Sequence, residues 1–200
     1  MMRLFTVPTA NGQKAQVVLE VLGFEYETAT CDLVAGEHRS PEMLARNPFG
    51  KLPFLEHDGR TVYGSMAIAF YLTDLSGRLM PAGPALRAEV YQWVGMLASD
   101  LSPALAGQFM FSEIFVVDDP QVVGYFTESA TRLFAVLDQH LAGREWMVGD
   151  QLTVADLLAY PSAVTSAARL PEKLAPYPGI RAWVERLGEN EAIRRGMART

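Results

Sequence analysis

A single cysteine, Cys31, stands among the 200 residues of this chain. That rules out an internal disulfide, a CxxC redox pair and a thiolate metal cluster. Histidine is nearly as scarce. His38, His57 and His140 are scattered, with no i,i+4 pair of the kind that binds zinc, so no metal is expected. Long apolar runs are missing as well: none approaches the roughly 18 uncharged residues that span a bilayer. The first residues lack a basic stretch leading into an apolar one, so a secretory signal is not expected. Positive charge is in deficit. The net charge of -6 and a pI near 5.1 argue against a nucleic-acid or anionic-membrane partner gripped by a basic face. A metal-free, soluble, cytoplasmic protein is the expectation.

Half the residues are hydrophobic and a fifth are charged, the balance of a globular chain with one large or two small cores. "RLFTV" reads as a short strand. After "PTANG", Ala15, Val18, Leu19 and Leu22 recur at helical spacing up to Gly23. "EYETATC" is a second strand, and "SPEMLARNP" holds one or two helical turns between its prolines. Asp58-Gly59 joins two further strands as a hairpin, and Ile68, Leu72 and Leu75 return to helical spacing. The order βαβαββα implies a mixed sheet: a parallel pair joined through a helix, and an antiparallel hairpin.

"SGRLMPAGPA" is the best linker by its Gly and Pro content. Beyond it the pattern is helical throughout. Leu86, Val90, Val94, Leu97 and Leu101 form one stripe; Val123, Phe126, Ala130, Leu133, Leu137 and Leu141 form another. Thr153 and Asp156 have the spacing of a capping box, with Leu152 and Leu157 as its staple. The last helix is expected from near Ile180 through Trp183 and Leu187. The expected division is residues 1–76, a linker at 77–84, and a helical domain over 85–200.

Three short segments invite a functional reading. Thr9 and Asn11 precede the first helix, where small polar residues commonly serve as caps. The same junction offers free backbone N–H groups and the positive end of the helix dipole, which would stabilise a thiolate. Leu52-Pro53 opens a strand. Ser65 precedes an apolar helix and reads by default as its N-cap, while Lys51 and His38 read singly as solvated surface. All three segments lie near strand ends or helix starts, where ligands of open α/β sheets gather. Together they offer anion-binding helix starts, a cation and a hydroxyl, but no general base. That suits a charged thiol ligand better than a hydrolytic triad.

"AGEHRSPEMLARNPFGKLPFLEHDGRTVYGSMAIAFYL", "LTVADLLAY" and "YPGIRAWVERLGENEAIRR", in this order, resemble the glutathione S-transferases, the phi-type members in particular. The resemblance implies a thioredoxin-like N-terminal domain with a mixed four-stranded sheet. It also implies an all-α C-terminal domain that supplies a hydrophobic substrate wall, for which Phe109, Met110 and Phe111 are the candidates. By the same resemblance Leu52 pairs through its backbone with the cysteinyl part of glutathione and Pro53 is cis. His38 and Lys51 match positions at the glycyl carboxylate, and Ser65 matches the residue that binds the γ-glutamyl carboxylate. Phe49 falls where some members insert an aromatic into a partner subunit, which implies a homodimer.

Tyrosine-type members carry a catalytic Tyr near the end of the first strand, where this chain has Phe5-Thr6-Val7. Cysteine-type members have Cys in the next loop, where it has Thr9-Ala10-Asn11. What remains resembles the serine type with Thr for Ser, and the "TPNGxK" opening of bacterial nu-like and fungal prion-like relatives. In those groups the hydroxyl and the Asn both attend the sulfur. One position departs: Gly64 stands where the family usually has Glu, Gln or Asp to accept from the ligand's α-ammonium. The implied activity is conjugation of the glutathione thiolate to small hydrophobic electrophiles, with glutathione as co-substrate. The alternatives are glutathione-dependent reduction of disulfides or peroxides, and a non-catalytic binding or dimerisation module.

Overall fold

The computed structural model describes residues 1–117 and 119–199; Asp118 and Thr200, both within the expected helical domain, lie outside them. The chain divides into two compact units: Met1–Met80 together with the segment from Gly188 onward, and Pro81–Leu187.

The first unit is built on four strands, β1 (Met2–Thr6), β2 (Tyr26–Thr30), β3 (Phe54–His57) and β4 (Arg60–Tyr63). Their order in the sheet is β2-β1-β3-β4. β1 and β2 run parallel and are joined by helix α1 (Ala10–Leu22); β3 and β4 form the antiparallel hairpin. The turn at Asp58-Gly59 has positive φ at both residues (48° and 75°), which explains the Asp-Gly pair. Short α2 (Pro41–Arg46) fills "SPEMLARNP", with the Ser40 hydroxyl accepting the Met43 N–H. Helix α3 (Ser65–Ser76) follows β4.

The predicted stripe of α1 is buried, and Gly23 ends the helix in the left-handed conformation. The burial goes further than the stripe requires. Lys14, Gln16 and Val17 are buried too, because α1 packs against α3 and against a helix from the chain's far end. The expected last helix is in fact two. α9 (Pro178–Gly188) stops, Asn190 caps anew through its Oδ1 on the Ala192 and Ile193 N–H groups, and α10 (Glu191–Ala198) lies on α1.

The second unit is helical: α4 (Pro84–Met96), α5 (Ser102–Phe109), α6 (Pro120–Leu141), α7 (Val154–Arg169), short α8 (Pro171–Leu174) and α9. Five-residue π-turns follow α4 and α5. Its core holds Val90, Val94, Leu97, Leu101, Phe134, Leu137 and Trp183. Of the expected stripes, Leu86 near the start of α4 is 38% exposed and Val123, Phe126 and Leu133 of α6 are half-buried, while in the first unit Leu75 at the end of α3 is 49% exposed. The capping box at α7 is present. The Asp156 carboxylate accepts from the Thr153 N–H (3.1 Å) and hydroxyl (3.0 Å), from the Met147 N–H (2.9 Å) and from the Trp183 indole (3.0 Å).

Candidate functional site

Sheet register gathers the suspected segments. Phe5 of β1 pairs with Phe54 of β3, and Phe54 pairs with Tyr63 of β4, so these three form one row across the sheet. β1 leaves that row toward Thr9 and Asn11, β3 enters it from Leu52-Pro53, and β4 leaves it toward Gly64-Ser65. A backbone bond ties two of these segments: the Gly64 N–H donates to the Pro53 carbonyl at 3.0 Å. Beneath them Phe5 and Phe54 stack with centroids 4.3 Å apart, in a cluster with Cys31 and Met43 against which Leu52 and Tyr63 pack.

Thr9 caps α1. Its extended backbone turns the side chain so that Oγ1 accepts the Gly12 N–H at 3.2 Å. A hydroxyl has one proton and two acceptor sites, so this bond leaves the Thr9 O–H free to donate. Capping and thiol binding, which compete when read from sequence, are compatible on this side chain. Gly12 is required by close approach: a Cβ there would stand 2.2 Å from the Val7 carbonyl oxygen and 2.4 Å from Thr6 Oγ1. The first turn is thus pressed onto the end of β1, with Thr9 and Asn11 exposed on its outer side.

Two residues not assigned a role from the sequence support the site, the first of them the lysine that closes the "TPNGxK" pattern. Lys14, only 1% exposed, donates from Nζ to Asn11 Oδ1 at 3.0 Å. Burial pushes its ammonium down to about 8. Asn47, 2% exposed, organises "NPFGKLP": its Nδ2 donates to the Lys51 carbonyl at 2.6 Å, and its Oδ1 accepts the Phe49 N–H at 3.1 Å. The Asn-Pro pair was the available signal, since Asn before a turn commonly bonds its own backbone.

The Leu52–Pro53 peptide bond is cis. Lys51 is exposed and His38 half-buried, its Nδ1 without a partner among the described residues. His38 belongs to a short 3-10 turn beside Gly50, whose added Cβ would lie 3.8 Å from the His38 carbonyl oxygen. Ser65 is not the cap of α3: Gly64 is, and Ser65 is the first helical residue, buried, with no side-chain capping bond. Its hydroxyl is therefore not taken up by the helix it opens. Gly64 has φ 83° and ψ 143°, a conformation costly to any residue with a Cβ.

Cys31 is unsuited to be a nucleophile. It is buried, and desolvation together with the Glu37 carboxylate raises its thiol. Among the described residues no group of three or more His, Cys, Asp or Glu side chains is placed to hold a metal. No helix among them is long and apolar enough to cross a membrane.

Phe49 is 68% exposed, its ring edge-on to Tyr63 with centroids 5.5 Å apart. Within the helical unit Phe109, Met110 and Phe111 are half-buried. The Arg169 guanidinium lies 3.9 Å over Phe109, and Phe111 stacks on Phe126 at 5.5 Å.

Residues 1–74 match the family model "Glutathione S-transferase, N-terminal domain", and residues 111–191 match "Glutathione S-transferase, C-terminal domain". Among curated proteins the chain is 30% identical over 213 residues to the disulfide-bond oxidoreductase YghU of Escherichia coli (strain K12), covering 98% of this chain and 73% of that protein. It is 29% identical over 199 residues to the disulfide-bond oxidoreductase YfcG of the same organism, covering 96% and 92%. Among solved structures, a glutathione transferase from Burkholderia graminis with two glutathione molecules bound per subunit superposes with a TM-score of 0.91 at 28% identity, covering 99% of this chain and 88% of that one. The chain belongs to the glutathione S-transferase family.

Proposed function

We propose that this chain is a glutathione-dependent enzyme in which Thr9 and Asn11 stabilise the thiolate, and that its reaction is disulfide reduction. The carrying observation is an exposed Thr9, whose hydroxyl proton is left over from capping α1, at the sheet end where β1 runs out toward it from the row that β3 enters after Leu52-Pro53. A thiolate accepting from Thr9 O–H and from Asn11 Nδ2 gains two charge-assisted hydrogen bonds at the positive end of a helix. Leu52 holds the cysteinyl backbone, His38 and Lys51 attend the glycyl carboxylate, and Ser65 with the Gly64 backbone receives the γ-glutamyl end.

The enzyme contributes no thiol of its own, since Cys31 is buried and its thiol is raised. Exchange therefore runs between glutathione and substrate. A glutathione thiolate attacks one sulfur of R–S–S–R′, forming the mixed disulfide and expelling R′S⁻. A second glutathione thiolate attacks the glutathionyl sulfur of the mixed disulfide, releasing RS⁻ and glutathione disulfide. Each expelled thiolate takes up the proton that a glutathione lost on ionising. Likeness to two disulfide-bond oxidoreductases, and to a neighbour holding two glutathione molecules, supports this reading over conjugation. Such chemistry needs a pool of reduced glutathione, which fits a cytoplasmic location.

A second reading, conjugation to a small hydrophobic electrophile, is supported by the half-buried aromatics Phe109 and Phe111, with Met110 between them, as a substrate wall. The exposed Phe49 supports a homodimer in which it enters the partner subunit.

Calorimetric titration with glutathione, followed by turnover of a dithiol-linked model disulfide and of a chlorinated nitroarene, tests the proposal. Binding with turnover of the disulfide alone is expected. Turnover of the nitroarene alone would favour conjugation, and no heat at millimolar glutathione would remove both readings in favour of a non-catalytic module.

A further inference from the structure

We infer that Lys14 is a positioning residue of the thiol site: its ammonium holds Asn11 by the carbonyl oxygen and so directs the Asn11 amide N–H groups toward the sulfur beside Thr9. This rests on the glutathione reading above and adds to it a residue with no contact to ligand.

The orientation follows from donor and acceptor inventory. Lys14 Nζ lies 3.0 Å from Asn11 Oδ1. An ammonium has three donors and no acceptor, so Asn11 can present only its oxygen to it. The amide NH₂ is then the part that faces away from Lys14, and Asn11 itself is exposed. Without this bond the amide has two orientations of similar energy, one of which would turn its oxygen toward a thiolate and repel it. The three-residue spacing from 11 to 14 puts both side chains on one face of the first turn of α1.

Burial sharpens the assignment. Lysine is rarely fully buried, and at 1% exposed Lys14 has its ammonium held in place beside Asn11. With its ammonium lowered only to about 8, Lys14 stays mostly charged at neutral pH.

The test uses the whole chain and glutathione itself. The ultraviolet absorbance of the bound thiolate is followed against pH in wild type, Lys14→Met, Asn11→Ala and the double variant, with kcat and KM for the model disulfide. Lys14→Met is expected to raise the midpoint of thiolate formation by about one pH unit. It should lower kcat about tenfold while KM stays within about twofold, the pattern of an interaction needed for reaction more than for binding. The double variant should be no worse than Asn11→Ala, because both changes remove the same donor. An unshifted midpoint in folded Lys14→Met, or additive losses in the double variant, would overturn the inference while leaving glutathione binding intact. Asn11→Asp, at an exposed site, covers the case in which Lys14→Met does not fold. It keeps an oxygen for Lys14 but has no N–H to donate, so its midpoint should rise, and an unchanged one would overturn the inference. Absence of any glutathione heat in wild type would remove this inference together with the reading it rests on.

Discussion

Thr9 accepts the Gly12 N–H on its hydroxyl oxygen at 3.2 Å and keeps its own proton for another acceptor. The two roles separate by substitution. Thr9→Val retains the shape and loses both; Thr9→Ser retains both. Loss of the cap lowers stability by about 1 kcal/mol. Loss of a hydrogen bond to a charged sulfur costs about 1.5–3 kcal/mol, or roughly ten- to a hundredfold in kcat/KM. Thr9→Val should therefore be folded yet nearly inactive, and Thr9→Ser close to wild type. Equal rates for Thr9→Val and wild type would take the hydroxyl out of the mechanism.

Gly64 can be given the carboxylate it lacks. A Cβ at this position meets nothing within 4 Å, so space is available, but φ of 83° strains any side chain. That strain, about 1–3 kcal/mol, burdens the free and the liganded protein alike and so appears in stability, not affinity. Against it, a carboxylate accepting from the γ-glutamyl ammonium adds about 1.5–3 kcal/mol to binding alone. Gly64→Glu should melt earlier and bind glutathione roughly ten- to a hundredfold tighter by calorimetry. Gly64→Ala, with strain and no carboxylate, should melt earlier with unchanged affinity.

Asp156 is fully buried and accepts four donors, one of them from Trp183 of α9. Asp156→Ala strands all four inside the helical unit. The loss should be about 3–5 kcal/mol, well above that of an exposed cap, because the donors have no water to turn to. Thermal unfolding should fall by roughly 10 °C. A drop no larger than that of Thr9→Val would show that the region relaxes to admit water.

Glu20 clasps α10 to α1, accepting from Arg195 at 3.0 Å, Arg199 at 2.7 Å and the Tyr26 hydroxyl at 3.2 Å. Burial works to raise its carboxyl, but these three donors outweigh it and hold the group below the ordinary value. A depressed carboxyl stabilises fully above its unfolded value, about 4.3, and the stabilisation is lost as pH falls through the folded one. Both arginines are about half exposed, which limits the effect to about 1–2 kcal/mol. The protection of α10 amides, relative to the intrinsic exchange rate at each pH, should fall on acidification below about pH 4, and Glu20→Gln should show the lowered protection at neutral pH.

What the sequence disclosed depended on how local the signal was. The Asp58-Gly59 hairpin, the Thr153/Asp156 box and the Thr9 cap are each set within a few residues, and each is where patterning put it. Ser65 by default reads as a cap, because a hydroxyl before an apolar helix is the commoner solution. Here the positive φ of Gly64 starts the helix one residue earlier. α10 escaped notice because Asn190 restarts a helix within "GENEAIRR", a stretch too polar to show a stripe of its own. Lys14 escaped for the same tertiary reason: a lysine reads as surface until a helix from the far end of the chain packs beside α1.

Lys14 yields the last prediction, on stability. Burial lowers its folded value to about 8, whereas the unfolded chain holds that proton to about 10.4. Between these values the unfolded state binds more protons than the folded one, so stability rises with pH across the window. The rise from this group is on the order of 3 kcal/mol if completed. Tyr26 opposes it at the top of the range, since burial raises its phenol and the unfolded chain ionises first above about pH 10. Cys31 opposes it as well, since its raised thiol lets the unfolded chain ionise first above about pH 8.5, so the Lys14 contribution is the difference between wild type and Lys14→Met from pH 8 to 10, followed by urea unfolding. Wild type should gain stability relative to Lys14→Met across that range, while Lys14→Met is the slower enzyme. A difference between wild type and Lys14→Met that stays constant from pH 8 to 10 would mean that the buried ammonium carries no such penalty, and that its place beside Asn11 was gained without loss of stability.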